Sequence, residues 1–372
     1  MEKSVSSKLG SFANMERAAI VLREHDYVCS QPPSDEVEGA LEKVQKIKQV
    51  VSSLVLYRPL LERWCVSDDD FRYFTRFPSK CVFSVFWTAI EPTASRLVYW
   101  SRSGLVKEED DFDSRLQRKL PLIDEFFMFC MHLSLGQKEG VLARTFGLSL
   151  TRVNQILITW ANYLYLLLGS IGIWMTQIQV RQAIPFKLLQ HCHNVRVIVA
   201  STEIGCENQG TDTVCSEKPS GHTNVTRYRA LIGVAPCGSI TFASKLFPGF
   251  MSNEELVRVS GILDLLQPGD QLIADKDFDI EKLLEDTGVK LLKFPSKRRC
   301  PIEMMDLKAR IIDRLLALAK RAVRRVKEYQ ILNSPIPLSF AETLNQIWSC
   351  CCMMANYQGS LDPDGKLLDL TK

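Results

Sequence analysis

The segment Val195-Arg196-Val197-Ile198-Val199 decides the fold, because its dense run of β-branched residues predicts a buried β-strand. Two further strands are predicted downstream, at Tyr228–Val234 and Ser239–Leu246. The link between them, Ala235-Pro236-Cys237-Gly238, has the composition of a hairpin turn. The sequence therefore predicts three consecutive antiparallel strands.

Helices and strands alternate after this meander. Ser252 is a predicted N-cap, and Pro268-Gly269-Asp270 is a predicted turn. The predicted elements are, in order, a helix at Asn253–Leu265, a strand at Gln271–Ala274, a helix near Ile280–Asp286, a strand at Val289–Phe294 and a long helix from about Met304 to Glu328. This order is that of a ribonuclease-H-like fold, so the predicted class for residues 190–360 is α/β with a mixed sheet.

An all-helical region is predicted before the sheet, in residues 118–170. It contains helices at Leu122–Leu133, Lys138–Phe146 and Leu150–Leu168, and the tight turn Gly147-Leu148-Ser149 gives the last two the pattern of a helix-turn-helix. If this unit binds DNA, the third helix reads the groove with the side chains at its start, which are Thr151, Arg152, Asn154 and Gln155. A purely structural three-helix unit is the alternative, because one arginine and several amides make a thin electrostatic footprint.

The flanking segments carry weaker predictions. Residues 1–56 are predicted to be irregular except for an amphipathic helix at Asp35–Leu56, which suits either a short coiled coil or a helix packed on its own domain. The coiled-coil alternative implies self-association or a protein partner. Residues 57–117 are predicted to be helical, with an acidic linker at 107–111, and residues 361–372 form a tail.

Composition and residue spacing argue against a metal site and a membrane span and do not by themselves indicate nucleic-acid binding. The formal net charge of +3 is too small to indicate nucleic-acid binding by itself. The 12 cysteines contain no C-x-x-C pair, and His191-Cys192-His193 is predicted to be a loop and not a metal site. The uncharged stretch Val153–Val180 is broken by polar residues and by Gly169-Ser170-Ile171-Gly172, so a buried helix is predicted there and no membrane span.

Several motifs resemble the DDE domain of Harbinger-type transposases, over about Leu61 to Leu361. The most distinctive runs from Ser260 to Asp270, and the others are Thr202-Glu203-Ile204, Arg229-Ala230-Leu231-Ile232-Gly233, Gly249 to Ile280 and Asn345-Gln346-Ile347-Trp348. The closest resemblance is to the subgroup whose animal members often carry an amino-terminal THAP zinc finger, but residues 1–60 contain no C-x-C pattern of such a finger. The resemblance implies DNA as a partner and a nuclear location, alone or shared with the cytoplasm.

The same resemblance implies a two-metal nuclease site, in which three carboxylates bind Mg²⁺ or Mn²⁺. Asp275 matches the second ligand, in the family pattern Ala-Asp-Lys-Gly-Phe-Asp. The first pattern, Asp-Cys-Thr-Glu, has Ala200 at its aspartate, and the third, Val-Glu-Arg-Ala-Ile, has Lys320 at its glutamate. We therefore expect a catalytically degenerate site with no bound cofactor.

Neighbouring carboxylates are poorly placed to replace the missing ligands. Glu203 lies three residues from Ala200, and odd offsets in a strand point to opposite faces. Asp313 precedes Lys320 by two helical turns, about 10 Å along the axis. Asp277 is nearer to Asp275, but two carboxylates on one loop do not make the usual pair of metal sites.

The last predicted helix is strongly basic. Residues 308–327 contain eight basic residues and one acidic residue. Arg321, Arg324 and Arg325 are candidate phosphate contacts, as is Lys297-Arg298-Arg299, and a solvated basic face is the alternative. Three functions therefore stay open, namely an inactive transposase-derived DNA-binding protein, an active metal-dependent endonuclease with another ligand arrangement, and a protein-interaction scaffold that does not bind DNA.

Overall fold

The computed structural model describes residues 42–46, 59–100, 118–184, 193–208, 225–293 and 307–362. The chain divides into two units, Met1–Arg58 and Pro59–Lys372. In the first unit residues 42–46 are helical, and the rest of the predicted helix Asp35–Leu56 lies outside the described residues. The predicted linker at 107–111, most of the His191 cluster and the basic run Lys297-Arg298-Arg299 also lie outside them.

The second unit begins with three helices, α1 (Leu60–Trp64), α2 (Asp68–Thr75) and α3 (Lys80–Ala94). A capping box starts α2, because the backbone N–H of Asp70 donates to Ser67 Oγ at 3.2 Å and the backbone N–H of Ser67 donates to Asp70 Oδ2 at 2.8 Å. The inner faces of these helices bury a cluster of aromatic rings, which includes Phe71, Phe77, Phe83, Phe86, Trp87, Phe126 and Trp160.

Four more helices precede the sheet. They are α4 (Leu122–Leu135), α5 (Glu139–Phe146), α6 (Leu150–Gly169) and α7 (Gln177–Ala183). The three helices predicted between 118 and 170 are therefore present with nearly the predicted bounds. Gly147 ends α5 in the left-handed region at φ +64°, and Ser149 caps α6 by accepting from the backbone N–H of Arg152 at 3.3 Å. A search of the described helices found none with the length and apolarity that a membrane crossing requires.

A mixed six-stranded sheet follows, in the order β3-β2-β1-β5-β6, with β4 paired to β2. Its strands are β1 (Val195–Glu207), β2 (Val225–Val234), β3 (Ile240–Ala243), β4 (Phe247–Pro248), β5 (Gln271–Ala274) and β6 (Lys290–Lys293). The first three strands are antiparallel and β5 and β6 run parallel to β1. This sheet is compatible with a ribonuclease-H-like fold. The predicted strand Ser239–Leu246 is shorter, since the chain leaves β3 after Ala243 and pairs again at β4.

The remaining helices are α8 (Asn253–Val259), α9 (Glu281–Leu284), α10 (Leu307–Lys327) and α11 (Leu344–Ala355). The prediction of one helix over Asn253–Leu265 is wrong, because α8 ends at Val259 and Gly261 takes a left-handed conformation at φ +83°. A short 3₁₀ turn, Leu263–Leu265, follows it. The helix predicted near Ile280–Asp286 is likewise reduced to α9 and a second 3₁₀ turn, which ends at Gly288 with φ +69°.

The helical region and the sheet region share one core. Helix α11 packs on α6, where Gln346 Nε2 donates to Asn162 Oδ1 at 3.1 Å and Trp348 is fully buried. Helix α10 lies on the sheet with its apolar stripe inward, so that Leu315, Ala319 and Ala322 are buried. The packing of α10 on β1 sets the position of the site.

Candidate active-site cleft

Three elements of the sheet region bring Ala200, Asp275 and Lys320 together. Ala200 lies on β1, Asp275 directly follows β5, and Lys320 lies on α10. Strand β5 pairs parallel to β1 with Ala274 opposite Val199, so Asp275, which directly follows β5, lies beside Ala200, which is still within β1. All three line one cleft of about 210 Å³. The three positions of the family pattern therefore share one site.

Asp275 is held by an ion pair with Lys320. Lys320 Nζ lies 2.9 Å from Asp275 Oδ2, and the backbone N–H of Lys276 donates to Asp275 Oδ1 at 2.8 Å. Partial burial opposes ionisation of the carboxyl, but the hydrogen bonds from Lys320 and Lys276 outweigh it, so the pKa of Asp275 lies below its ordinary value. Both carboxylate oxygens thus have partners from the protein. The aspartate side chain is 33% exposed and the lysine side chain 65% exposed, so water reaches the pair.

The donor atoms of the cleft do not fit a two-metal centre. Such a centre needs several oxygen ligands around two cations about 3.5–4 Å apart. Ala200 offers no donor atom, and the ammonium of Lys320 occupies the side of Asp275 where a cation would be bound. Asp277, which also lines the cleft, is exposed. Among the described residues there is no group of three His, Cys, Asp or Glu side chains that could hold a metal ion.

The neighbouring carboxylates point elsewhere. Glu203 lies on β1 with a half-exposed side chain, 3.5 Å from Arg227 Nη1 and 3.9 Å from Arg229 Nε. Asp313 is exposed on α10, two turns before Lys320. Neither residue lines the cleft with Asp275.

A polar wall that the sequence analysis missed closes one side of the cleft. Arg229 on β2 donates through Nη2 to Ser201 Oγ at 3.2 Å and to Asn253 Oδ1 at 2.7 Å, and through Nη1 to the Met251 carbonyl. Asn253 Nδ2 in turn donates to the Asp277 carbonyl at 3.0 Å. Arg229 is therefore the brace between β1, β2 and the start of α8. The available signal was a charged residue inside the predicted strand Tyr228–Val234, whose other residues are apolar or aromatic.

The residues predicted to read DNA lie at the start of α6, where other segments of the protein contact or face them. Arg152 lies over the Tyr99 ring, with its guanidinium carbon 3.7 Å from the ring centroid, and donates to Gln155 Oε1 at 3.3 Å. Thr151, Asn154 and Gln155 line a groove of about 660 Å³ against the 3₁₀ segment Leu338–Thr343. This wall faces the very side chains that a reading helix would present, so the contribution of α6 to DNA binding stays a prediction.

The predicted phosphate contacts on α10 divide into two groups. Arg321 donates to the Leu361 carbonyl at 3.2 Å and lies 3.6 Å from Asp362 Oδ1. Arg325 donates to the carbonyls of Gly359 and Ser360, the latter at 2.9 Å. Both guanidinium groups therefore hold the segment 359–362. Arg324 is exposed.

Comparison with known families agrees with this geometry. Residues 199–356 match the family model of the DDE superfamily endonucleases. The match covers less than half of the chain and runs from Val199, within β1, to the residue after α11, so it includes Ala200, Asp275 and Lys320. No curated protein and no solved structure matches the chain. The region from β1 to α11 is therefore similar to a transposase-type DDE endonuclease domain.

Proposed function

We propose that this chain is a transposase-derived protein of the Harbinger type that binds DNA and does not cleave it. One observation carries the proposal: Lys320 Nζ lies 2.9 Å from Asp275 Oδ2 inside the cleft of a DDE-type domain, beside an alanine at the first ligand position. Strand cleavage in this fold depends on two cations that stabilise the attacking and leaving oxygens. An ammonium cannot activate water in that way, and it competes with any cation for the same carboxylate.

DNA binding is proposed through the exposed basic face of α10. Arg324 is exposed on this helix, and Lys320, four residues earlier on the same face, keeps 65% of its side chain exposed while it pairs with Asp275. Exposed cations on one helix face bind phosphates without reading sequence, and each contact releases a counterion. The proposed site therefore predicts salt-sensitive binding with little sequence preference. We also propose a nuclear location, which imaging of the tagged full chain would test.

Plasmid nicking in Mg²⁺ or Mn²⁺ tests the catalytic half of the proposal. The expected rate equals that of Asp275→Ala, since loss of even one well-placed electrostatic group costs about 10²–10³ in rate. Metal-dependent nicking that Asp275→Ala abolishes would instead show an active endonuclease with another ligand arrangement.

Fluorescence anisotropy with duplex DNA over a series of salt concentrations tests the binding half. Arg324→Ala should weaken binding to all duplexes alike and lower the slope of log K against log salt by about 1. The matched control is Arg72→Ala, because Arg72 is an exposed arginine on α2 that pairs with Asp69. Duplex affinity that is absent, or equal in both variants, would favour the protein-interaction scaffold.

A further inference from the structure

The groove beside α6 has the size and composition of a binding site. Its volume of about 660 Å³ falls within the range of about 300–1,000 Å³ that ligand pockets occupy. One wall is the face of α6 that carries Asn154 and Gln155, the other is the segment Leu338–Thr343, and Trp100 also lines it. Neither the proposed DNA contacts on α10 nor the cleft at Asp275 uses this groove.

Two side chains of the groove, Asn154 and Glu342, offer acceptor oxygens. Asn154 Oδ1 is buried and has no hydrogen-bond partner among the described residues. Glu342, on the opposite wall, is exposed and forms no ion pair with any other residue that the structure describes. A buried acceptor without a partner is destabilising, so a ligand that donates to Asn154 would be favoured.

The charges around the groove disfavour phosphate. Besides Glu342, a second carboxylate lies at its edge, because the groove residue Ser339 donates to Glu139 Oε1 at 2.7 Å. The guanidinium of Arg152, on the same helix, lies over the Tyr99 ring. A nucleic-acid backbone would meet two carboxylates here, whereas a cation would be attracted.

The surroundings are apolar and aromatic. Leu150 and Leu338, which line the two walls, are 54% and 39% exposed. The backbone N–H of Trp100 donates to Thr159 Oγ1 at 2.9 Å, which fixes this residue beside α6. An indole ring with a carboxylate and an amide oxygen forms a set that suits a guanidinium, since arginine stacks on aromatic faces and donates from a planar fork.

We propose that this groove binds an arginine side chain of a protein partner, with the flanking residues of the partner peptide packed on Leu150 and Leu338. The arginine donates to Glu342 and to Asn154 Oδ1 and packs against Trp100. The site is independent of the DNA-binding proposal, since it shares no residue with α10.

The test starts from a displayed library of random short peptides, selected on the immobilised full chain. Peptides enriched in arginine with a neighbouring apolar residue are expected. The strongest peptide is then synthesised in two forms, with arginine and with citrulline, a neutral isostere. The citrulline form should bind at least about tenfold more weakly, as expected when a hydrogen bond to a charged group is lost.

Variants of the chain locate the site. Glu342→Gln and Asn154→Leu should each weaken the arginine peptide several-fold, and Glu342→Gln should leave duplex binding unchanged. Glu91→Gln is the matched control, because Glu91 is an exposed glutamate on α3. Circular dichroism checks that each variant is folded. Selection of peptides without arginine, equal binding of the citrulline form, or displacement of the peptide by single-stranded DNA would each overturn the proposal.

Discussion

Restoring the two missing carboxylates should turn the cleft into a magnesium-dependent element of stability. The perturbation is the double variant Ala200→Asp with Lys320→Glu. Asp275 lies beside Ala200 because of the β1–β5 register, and Lys320 Nζ reaches within 2.9 Å of it, so the variant puts three carboxylates into one cleft of about 210 Å³. The ion pair of Asp275 is lost at the same time.

The loss of stability in metal-free buffer is estimated from the native ion pair and from the repulsion between the new charges. The native pair is water-accessible and contributes about 0.2–1 kcal/mol. Two like charges about 4 Å apart repel by about 1 kcal/mol in water and about 4 kcal/mol at an effective dielectric constant near 20. Loss of the pair together with one such repulsion gives a destabilisation of roughly 1–5 kcal/mol in metal-free buffer.

Magnesium should reverse part of this loss. A ligand that binds only the native state raises the free energy of unfolding by RT ln(1 + [L]/Kd), which is about 1.4 kcal/mol at ten times Kd and about 2.7 kcal/mol at a hundred times Kd. For a chain of this size about 1 kcal/mol shifts Tm by roughly 1–2 °C, so a rise of about 2–5 °C is expected at these Mg²⁺ concentrations.

The assay is a thermal melt of the folded chain with EDTA or with Mg²⁺. The matched control, Ala200→Asp with Lys327→Glu, makes the same change in net charge but keeps Lys320 beside Asp275. Only the cleft variant should gain stability from Mg²⁺. Equal melting temperatures of the cleft variant in both buffers would refute the reasoning, because they would mean that the metal-site geometry has been lost together with the ligands.

Three further predictions concern stability. Lys320→Ala should lower the free energy of unfolding by up to about 1 kcal/mol, and Lys327→Ala by less; denaturant titrations at neutral pH that show equal losses would contradict this. The stabilisation from the native ion pair is present above the unfolded-state pKa of Asp275 and is lost as pH falls through its depressed folded-state pKa. Glu125 is buried, and burial raises its pKa despite hydrogen bonds from Tyr99 and Trp160. Because the folded state then binds more protons than the unfolded state, the free energy of unfolding falls as pH rises from the unfolded-state pKa to the folded-state pKa of Glu125. Urea titrations over this pH range should show a smaller fall for Glu125→Gln, and an unchanged fall would contradict the prediction. Gly136→Ala should destabilise the fold by about 1–2 kcal/mol, since its φ is +62° and a Cβ would lie 3.1 Å from the Gln330 backbone. Gly140→Ala, in open space on α5, should instead stabilise the fold by up to about 1 kcal/mol. Equal effects of the two variants in chemical denaturation would contradict this explanation.

The sequence was sufficient where local patterns decide structure. The apolar runs that became β1, β2 and β5 and the turn at Gly147 were predicted from composition and periodicity, and the Asp275 cleft followed from a family resemblance. Contacts between distant side chains were not predictable. The brace from Arg229 to Asn253, the grip of Arg321 and Arg325 on residues 359–362, and the wall that Leu338–Thr343 builds opposite α6 all depend on packing between segments far apart in the chain. The early end of α8 required knowledge of the backbone at Gly261, whose left-handed φ only the fold reveals.

The central claim is tested most directly by Mn²⁺ binding to the full chain. The electron paramagnetic resonance signal of the free ion measures this binding. The claim is that Lys320 occupies the cation position beside Asp275. The account predicts that the wild-type chain and Asp275→Ala bind Mn²⁺ equally, because this carboxylate is already paired with an ammonium. A bound equivalent of Mn²⁺ that is present in the wild type and lost in Asp275→Ala would contradict the account.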